Sequence, residues 1–515
     1  MRKEKKKDPL FFLIKSLSKS EKRQFKLYAG RLEGNTQSNF MALFVLMDKI
    51  STYDEKLILA KTSIKKQQMS NTKAHLYRQI LISLRLSPVH QNSITHIREQ
   101  IDFATILYTK GLYKQSLRLL DKTKLLAVSK EQFNLAYEII ELEKVIESQY
   151  ITRSMSDRAD TLAIEAKNIN QKNVITSKLS NLSLQLYSWF LKHGYARNDT
   201  DTHIVEQYYK DRIPKYNFSE LGFTSKMYLY QANLWQGFIT QDFLSCYRNS
   251  QKLVQLFHDL PDMKKLHPVF YLKAVNYLLE SLFYLQKNDK FQEILRDLAI
   301  EIKEEKVFSS ENTQNLCFLY LYQHKINSFY LTGDFSKGTD FVKNVLVELD
   351  KTDKKIDAHH VMLFYYKIAC MYFGAGDYEQ CIFYLNKIIR NKNLKMREDL
   401  LCYTRVLNLV AHYESGEDEH IEELIKSTYK FLLKMDNLYE VQKKMIKFLR
   451  NLSNLYPHEL RKSFKDLYEG LKVYENHPYE KRSFLYLDIL SWLESNVKGV
   501  PVEDIVKQKI LKSKH

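Results

Sequence analysis

The clearest pattern of apolar and polar positions lies between residues 362 and 391. Apolar residues first recur at steps of three and four positions, which places them on one face of a helix: Tyr365, Ile368, Ala369, Tyr372 and Phe373. Gly376 and Asp377 interrupt this spacing. It resumes with Tyr378, Cys381, Ile382, Leu385, Ile388 and Ile389. The pattern predicts two antiparallel helices that cross at Ala369 and Cys381, where larger side chains would separate the helix axes.

The same offsets recur in residues 97–128, through Phe103, Ala104, Leu107, Tyr108, Gly111, Tyr113 and Ser116. Elsewhere the helical spacing persists while the small residues and the turn glycine become irregular. We predict about nine helical pairs in all, the others spanning 131–169, 175–213, 227–256, 267–303, 312–348, 398–434 and 437–474. Residues 479–495 predict a final helix that covers the last open face.

The pair at 362–391 resembles the tetratricopeptide repeat (TPR), a helical hairpin of about 34 residues. Ala369, Gly376, Tyr378 and Cys381 match the small, turn, aromatic and second small positions of that repeat. Cys381 replaces the usual alanine, and no proline closes the unit. The resemblance implies an all-α fold, a right-handed α-solenoid of antiparallel helix pairs that binds other molecules. Frequent Lys, Ile, Asn and Tyr is typical of an AT-rich bacterial genome, so we read the chain as a divergent bacterial member.

Residues 1–90 lack the turn signature and predict a separate basic helical module. Two helices follow Pro9 with a junction at the serines, where Ser18 and Glu21 fit a capping box. Further helices are predicted at 39–50, 54–60 and 72–86. The predicted domains are therefore the module at 1–90, the TPR-like array at 91–495 and a loose basic tail at 496–515.

Composition agrees with a helical chain. Gly and Pro together make up 21 of 515 residues, about 4%, against roughly 12% in average proteins. The five cysteines form no CxxC pair, which argues for reduced thiols in the cytoplasm and against a disulfide framework or a zinc site. We expect no membrane contact, because no apolar run approaches the roughly 18 residues that a membrane span requires.

The net charge of +18 is concentrated at the start of the chain. Residues 1–90 hold 19 Lys and Arg against seven Asp and Glu, so this sixth of the chain carries +12. Such asymmetry indicates either a nucleic-acid contact or a solvated lysine-rich helical face. A helix-turn-helix would place the predicted helix at 72–86 in the major groove, although its connection to the preceding helix is long. Its candidate nucleic-acid contacts are Lys73, Tyr77, Arg78 and Arg85.

No catalytic, cofactor or metal constellation emerges from the sequence. The segment FGAGDY at 373–378 contains GxG but has no third glycine and no preceding strand, so a helical-hairpin turn explains it. His458 and Glu459 begin like a zinc-protease motif, but Lys462 stands where its second histidine is required. We therefore predict no enzyme activity and no cofactor.

Partner binding is what the resemblance implies. In TPR proteins the first helices of successive units line a groove that holds peptides. Some members hold a peptide carboxylate with lysines and asparagines, and Asn327 and Lys367 occupy two such places. The full predicted set is Tyr320, Gln323, His324, Asn327, Tyr330, Tyr366, Lys367 and Phe373. The alternative is that these residues pack against neighbouring helices or face water.

Two functional hypotheses follow. The first is a non-catalytic cytoplasmic scaffold or adaptor whose array binds a protein or peptide partner. The alternative is a regulator whose basic module at 1–90 binds nucleic acid and whose array senses a peptide or oligomerises. The sequence leaves the partner's identity, the pathway and the oligomeric state open.

Overall fold

The protein is all-helical throughout the described part of the chain. The computed structural model describes residues 8–31, 39–87, 92–149, 157–352, 356–391, 398–416, 421–432, 440–452, 457–484 and 488–513. These ranges contain 25 α-helices and no β-strand. The all-α prediction is confirmed. Three further predictions fall partly outside the described residues: a charge run at 2–8, of which 2–7 lie outside; an end of the second helix at Gly30 or Gly34, of which Gly34 lies outside; and a stop at Ser87 and Pro88, of which Pro88 lies outside.

The helices divide into two compact units, residues 1–163 and 164–515. The first unit contains α1 to α8 and the start of α9: α1 (Pro9–Ser16), α2 (Lys19–Arg31), α3 (Asn39–Lys49), α4 (Glu55–Lys61), α5 (Met69–Arg85), α6 (Ser93–Thr109), α7 (Tyr113–Ser129), α8 (Phe133–Gln149) and α9 (Arg158–His193). The predicted domain boundary between residues 90 and 91 separates the N-terminal module, which lacks the repeat signature, from the array, which carries it. It stays a prediction.

The second unit contains the rest of α9 and sixteen further helices. They are α10 (Asp199–Arg212), α11 (Phe223–Thr240), α12 (Phe243–Asp259), α13 (Pro261–Leu266), α14 (Pro268–Tyr284), α15 (Asn288–Glu304), α16 (Glu311–Thr332), α17 (Phe335–Thr352), α18 (Ala358–Gly374), α19 (Tyr378–Ile389), α20 (Glu398–Ser415), α21 (Ile421–Leu432), α22 (Glu440–Leu452), α23 (Pro457–Lys472), α24 (Ile489–Lys498) and α25 (Val502–Ser513).

Local sequence signals explain how the first unit begins. Ser18 and Glu21 form the predicted capping box, in which the Ser18 N–H donates to the Glu21 carboxylate at 2.7 Å and the Glu21 N–H donates to Ser18 Oγ at 3.2 Å. Phe40, Leu43, Phe44 and Met47 are buried, as the spacing in α3 predicts. Helix α5 packs against α1, α2 and α3 and closes this small core.

The two clearest sequence repeats fold as predicted. In α6 and α7, the Ser116 hydroxyl donates to the Ala104 carbonyl at 2.8 Å, and both residues are fully buried. In α18 and α19, Ala369 and Cys381 are likewise fully buried. The small side chains therefore lie where paired helices approach most closely.

Hairpins with and without a turn glycine share one turn geometry, in which one residue has a positive φ. Gly333 and Gly376 adopt left-handed conformations, with φ of 71° and 80°. Gln241 and Gln286 hold equivalent turns at φ of 62° and 55°, a conformation that costs a residue with a Cβ about 1–2 kcal/mol. The Gln241 side chain compensates by donating to the Ala196 carbonyl at 2.9 Å.

Consecutive hairpins pack on one another through the second unit. Helices pair as α11–α12, α14–α15, α16–α17, α18–α19, α20–α21 and α22–α23, and each pair also contacts the next. The predicted pairs at 227–256, 267–303, 312–348, 398–434 and 437–474 are therefore confirmed. The short helix α13 was not predicted.

Three sequence expectations need correction. The two helices predicted at 156–169 and 175–193 are one helix, α9, because the polar residues between them include no Gly or Pro to stop it. The predicted final helix at 479–495 begins only at Ile489. Within the loose tail expected at 496–515, residues Val502–Ser513 form helix α25, since Val502, Ile505 and Val506 recur at helical spacing and are buried.

Candidate functional site

The residues predicted to line a peptide groove lie on α16 and α18, as expected, but most of them are buried. His324 and Asn327 are fully buried, and Lys367 is 4% exposed. The aromatic members of the set are also enclosed: Tyr320, Tyr330, Tyr366 and Phe373. Only Gln323 is partly exposed. Most of these residues therefore take part in helix packing, which is the alternative that the sequence left open.

Asn327 and Lys367 are brought together by the packing of α16 against α18. The Lys367 ammonium donates to Asn327 Oδ1 at 2.9 Å. The Tyr330 hydroxyl donates to the Lys367 backbone carbonyl, which ties the same two helices a second time. The two residues that could have held a peptide carboxylate thus satisfy each other inside the protein.

This contact continues as a chain of polar groups towards α14. His324 Nε2 lies 2.9 Å from Asn276 Oδ1, and its Nδ1 lies 3.5 Å from Asn327 Nδ2. One turn further along α14, the Glu280 carboxylate accepts a hydrogen bond from Gln323, the residue before His324. Buried polar groups need such partners, so the network fixes how α14, α16 and α18 are aligned.

Burial controls the ionisation of this network. It lowers the pKa of the Lys367 ammonium to about 8, although attraction to Glu280 raises that pKa in part. Burial and the nearby Lys367 charge keep the pKa of His324 well below its ordinary value. The arrangement therefore holds a neutral imidazole beside a cation that loses its proton readily.

A second cluster, which the sequence did not reveal, lies beside an open cleft of about 720 Å³. The Lys264 ammonium lies 2.8 Å from Glu305 and 3.2 Å from Glu301, and 4.2 Å from the centre of the Tyr271 ring. The Tyr271 hydroxyl donates to Glu301 at 2.7 Å and lies 3.4 Å from His258 Nε2. Burial and the Glu301 charge raise the pKa of that phenol.

Two exposed lysines lie on the rim of this cleft, of which Lys265 also lies 3.5 Å from Asp262. Lys265 and Lys306 are exposed, while the floor is closed by Phe257 and the stem of Lys264. The volume lies within the roughly 300–1,000 Å³ range of ligand sites. No sequence signal could have located the cluster, because its members come from α12, α13, α14 and the end of α15 and meet only through folding.

The four candidate nucleic-acid contacts on α5 divide into two kinds. Lys73 is engaged by the carboxylates of Asp8 at 2.9 Å and Glu55 at 3.6 Å. Arg85 lies 3.0 Å from Asp102 on the surface. Tyr77 and Arg78 are exposed. Three of the four candidates therefore remain exposed, and only Lys73 is half-buried among carboxylates.

The setting of α5 also differs from a helix-turn-helix. A connection of seven residues, including a short 3₁₀ turn at Lys66–Gln68, separates it from α4. A helix-turn-helix joins its two helices by three or four residues. Exposed cations lie instead on α2, where Lys19, Arg23 and Lys26 form one stripe.

Comparisons with known proteins add no family assignment. A scan against protein-family models, a search of curated proteins and a search of solved structures each found no match to this chain. Among the described helices, none combines the length and apolar character needed to cross a membrane. The described residues contain no group of three or more His, Cys, Asp and Glu placed to hold a metal ion.

Proposed function

We propose that the protein is a non-catalytic scaffold or adaptor, built as a right-handed TPR-like α-solenoid, that binds a protein or peptide partner. The observation that carries this proposal is the succession of stacked helix hairpins from α11 to α23. Proteins built from such stacked hairpins commonly present extended binding surfaces. A cytoplasmic location is supported by five buried cysteine thiols, which suit a reducing compartment.

We assign the buried network around Lys367 a positioning role in this scaffold. Its central residues His324, Asn327 and Lys367 are buried, so a partner could reach them only by separating α16 from α18. The cleft beside Lys264 offers what the network lacks, namely open volume, a basic rim and an apolar floor. We therefore propose that the partner contacts the array at this cleft, through an acidic segment.

The test is affinity capture from the source cell's lysate by the full chain, after nuclease treatment. The double variant Lys265→Glu and Lys306→Glu reverses the charge of the cleft rim. We expect it to lose, by about tenfold or more, a partner that the unaltered chain captures saturably. The control is Lys426→Glu with Lys465→Glu, two exposed lysines on other helices. Absence of saturable capture, or equal loss in both variants, contradicts the proposal.

The second candidate function is a nucleic-acid-binding regulator, favoured by the stripe of Lys19, Arg23 and Lys26 on α2. The neighbouring carboxylates are engaged elsewhere, Glu21 in the capping box and Asp48 with Lys22 at 2.7 Å. Phosphate neutralisation predicts that DNA affinity falls steeply as salt rises. Replacing the three stripe residues by Gln should reduce that salt dependence. Affinity that is independent of salt would reject this function.

A further inference from the structure

Helix α25 contacts a hairpin that is far away in the chain. The Glu503 carboxylate accepts a hydrogen bond from the Ser336 backbone N–H at 3.1 Å, across 167 residues. The Ser336 hydroxyl donates to the same carboxylate. Ser336 is the second residue of α17, where backbone N–H groups have no acceptor within the helix. Glu503 therefore caps α17 from another helix.

The turn between α16 and α17 is shaped for close approach by α25. Gly333 has a φ of 71°, and a Cβ placed there would lie 3.1 Å from Val506 Cγ1 and 3.3 Å from Lys507 Cγ. It would also lie 3.4 Å from Ile510 Cδ1. The glycine thus satisfies the turn and at the same time leaves room for the apolar side of α25.

Charge complements this shape. The Lys507 ammonium lies 3.3 Å from Asp334 and 2.6 Å from Glu503, so it bridges the turn and its own helix. Burial raises the pKa of the Glu503 carboxyl, but hydrogen bonds from Lys507 and Ser336 outweigh it and lower that pKa overall. Glu503 thus contacts the Ser336 N–H, Val506 packs on Gly333, and Lys507 pairs with Asp334.

Helix α25 is short, and it packs on the α16–α17 turn and on α24. It comprises 12 residues, and isolated helices of that length are marginal in water. Its outer face is exposed, with Leu511 at 63%. Gly499, at φ of 69°, and Pro501 separate it from α24. It nevertheless packs against α24, where the Lys509 ammonium lies 3.3 Å from Glu494 and donates to Ser491 Oγ at 2.9 Å.

We propose that the turn formed by residues 333–336 is a docking site for an amphipathic helix, occupied here by α25 and able to accept a partner helix of the same chemistry. That chemistry is an acidic residue in the first turn, a β-branched residue three positions later, then lysine, then isoleucine. The site lies at the turn of a hairpin and is independent of the cleft proposed above for partner capture.

The test uses the full chain with Val506→Asp, which places a charge against Gly333 and releases α25. A fluorescent peptide of residues 500–513 should then bind saturably. It should bind the unaltered chain at least about tenfold more weakly, because there the site is filled. Leu511→Asp is the matched control, since it changes the exposed face of the same helix and should leave binding weak.

The peptide itself supplies a second control. Versions with Glu503→Gln or Val506→Asp should lose about tenfold or more in affinity for the released chain, while Leu511→Asp should bind as before. Equal binding to released and unaltered chains, or no binding to a folded released chain, overturns the proposal. The peptide experiment does not depend on the lysate capture described above, so failure of that capture would not change its outcome.

Should Val506→Asp unfold the protein, hydrogen exchange on the unaltered chain answers the same question. Release of α25 predicts that its amides and the Ser336 amide exchange together, at least about tenfold faster than those of α24. Exchange of α25 only through unfolding of the whole second unit would overturn the proposal.

Discussion

The Lys367 ammonium lies 2.9 Å from Asn327 Oδ1, in a fully buried contact between α16 and α18. On the sequence these two residues matched places that hold a peptide carboxylate in some TPR proteins. In the folded chain each is the other's partner. The consequence is a charged group enclosed by the protein, whose ionisation is coupled to the stability of the second unit.

Replacing Lys367 by Met should flatten the dependence of stability on pH above 8. Burial lowers the folded-state pKa to about 8, whereas the unfolded lysine keeps its ordinary value of 10.5. Between these values the unfolded chain binds more protons, so stability rises with pH, by up to roughly 3 kcal/mol. Urea unfolding followed by tryptophan fluorescence reports this, because Trp189, Trp235 and Trp492 all lie in the second unit.

The control for this experiment is Lys387→Met, an exposed lysine on α19. It should keep the slope of the unaltered protein between pH 8 and 10. Equal slopes for Lys367→Met and the unaltered chain would show that Lys367 is not the group that titrates.

Gly338→Ala should destabilise the second unit, although alanine normally favours a helix over glycine by about 1 kcal/mol. A Cβ at Gly338 would overlap Met371 Sδ and lie 3.0 Å from Met371 Cε, and Met371 is fully buried. Overpacking of this kind costs about 1–3 kcal/mol. The matched variant is Gly470→Ala in α23, where the nearest atom is Lys444 Nζ at 4.0 Å, and there we expect a small gain. The measurement is the thermal midpoint of each variant, which should fall for Gly338→Ala and rise slightly for Gly470→Ala.

Cys381 tests whether size at the crossing of α18 and α19 matters. Cys381→Ala keeps the side chain small and should change the unfolding free energy little. Cys381→Leu inserts volume at a fully buried position and should cost about 1–3 kcal/mol. Phe383→Leu, at a residue 51% exposed, is the control and should be nearly neutral. A well-tolerated leucine at 381 would mean that the helices can separate there without loss.

Glu143 should make the first unit less stable as pH rises from about 5 to 7. It lies fully buried, 2.7 Å from Lys124 and 3.0 Å from Arg158. Burial raises its pKa to about 7 despite the Lys124 hydrogen bond. Over this range the folded carboxyl keeps a proton that the unfolded one has lost, so stability falls with pH, by roughly 2 kcal/mol between pH 5 and 7.

Hydrogen exchange of α8, corrected for the pH dependence of intrinsic exchange, measures this effect within the first unit. Glu143→Gln should remove most of the pH dependence. Glu141→Gln, at a side chain 46% exposed, should retain it. If the opening free energy of the unaltered chain does not change between pH 5 and 7, the pKa of Glu143 is not raised in the folded state.

The sequence by itself determined most of the secondary structure and most of the hairpins. Apolar spacing and the turn at Gly376 located α18 and α19, and the capping box located the start of α2. These signals suffice because each acts between residues only a few positions apart. The same reasoning located the hairpins at 227–256 and 267–303 but not the left-handed conformations of Gln241 and Gln286 in their turns, since glutamine carries no local signal for such a conformation.

Only the tertiary structure decided which polar residues are reachable. Helical spacing places Asn327 and Lys367 on one side of their helices, but whether that side faces water depends on how closely α14, α16 and α18 pack. The cleft around Lys264 and the docking of α25 on Gly333 likewise join residues tens to hundreds of positions apart. Such contacts arise from packing between helices, which the pattern within each helix does not specify.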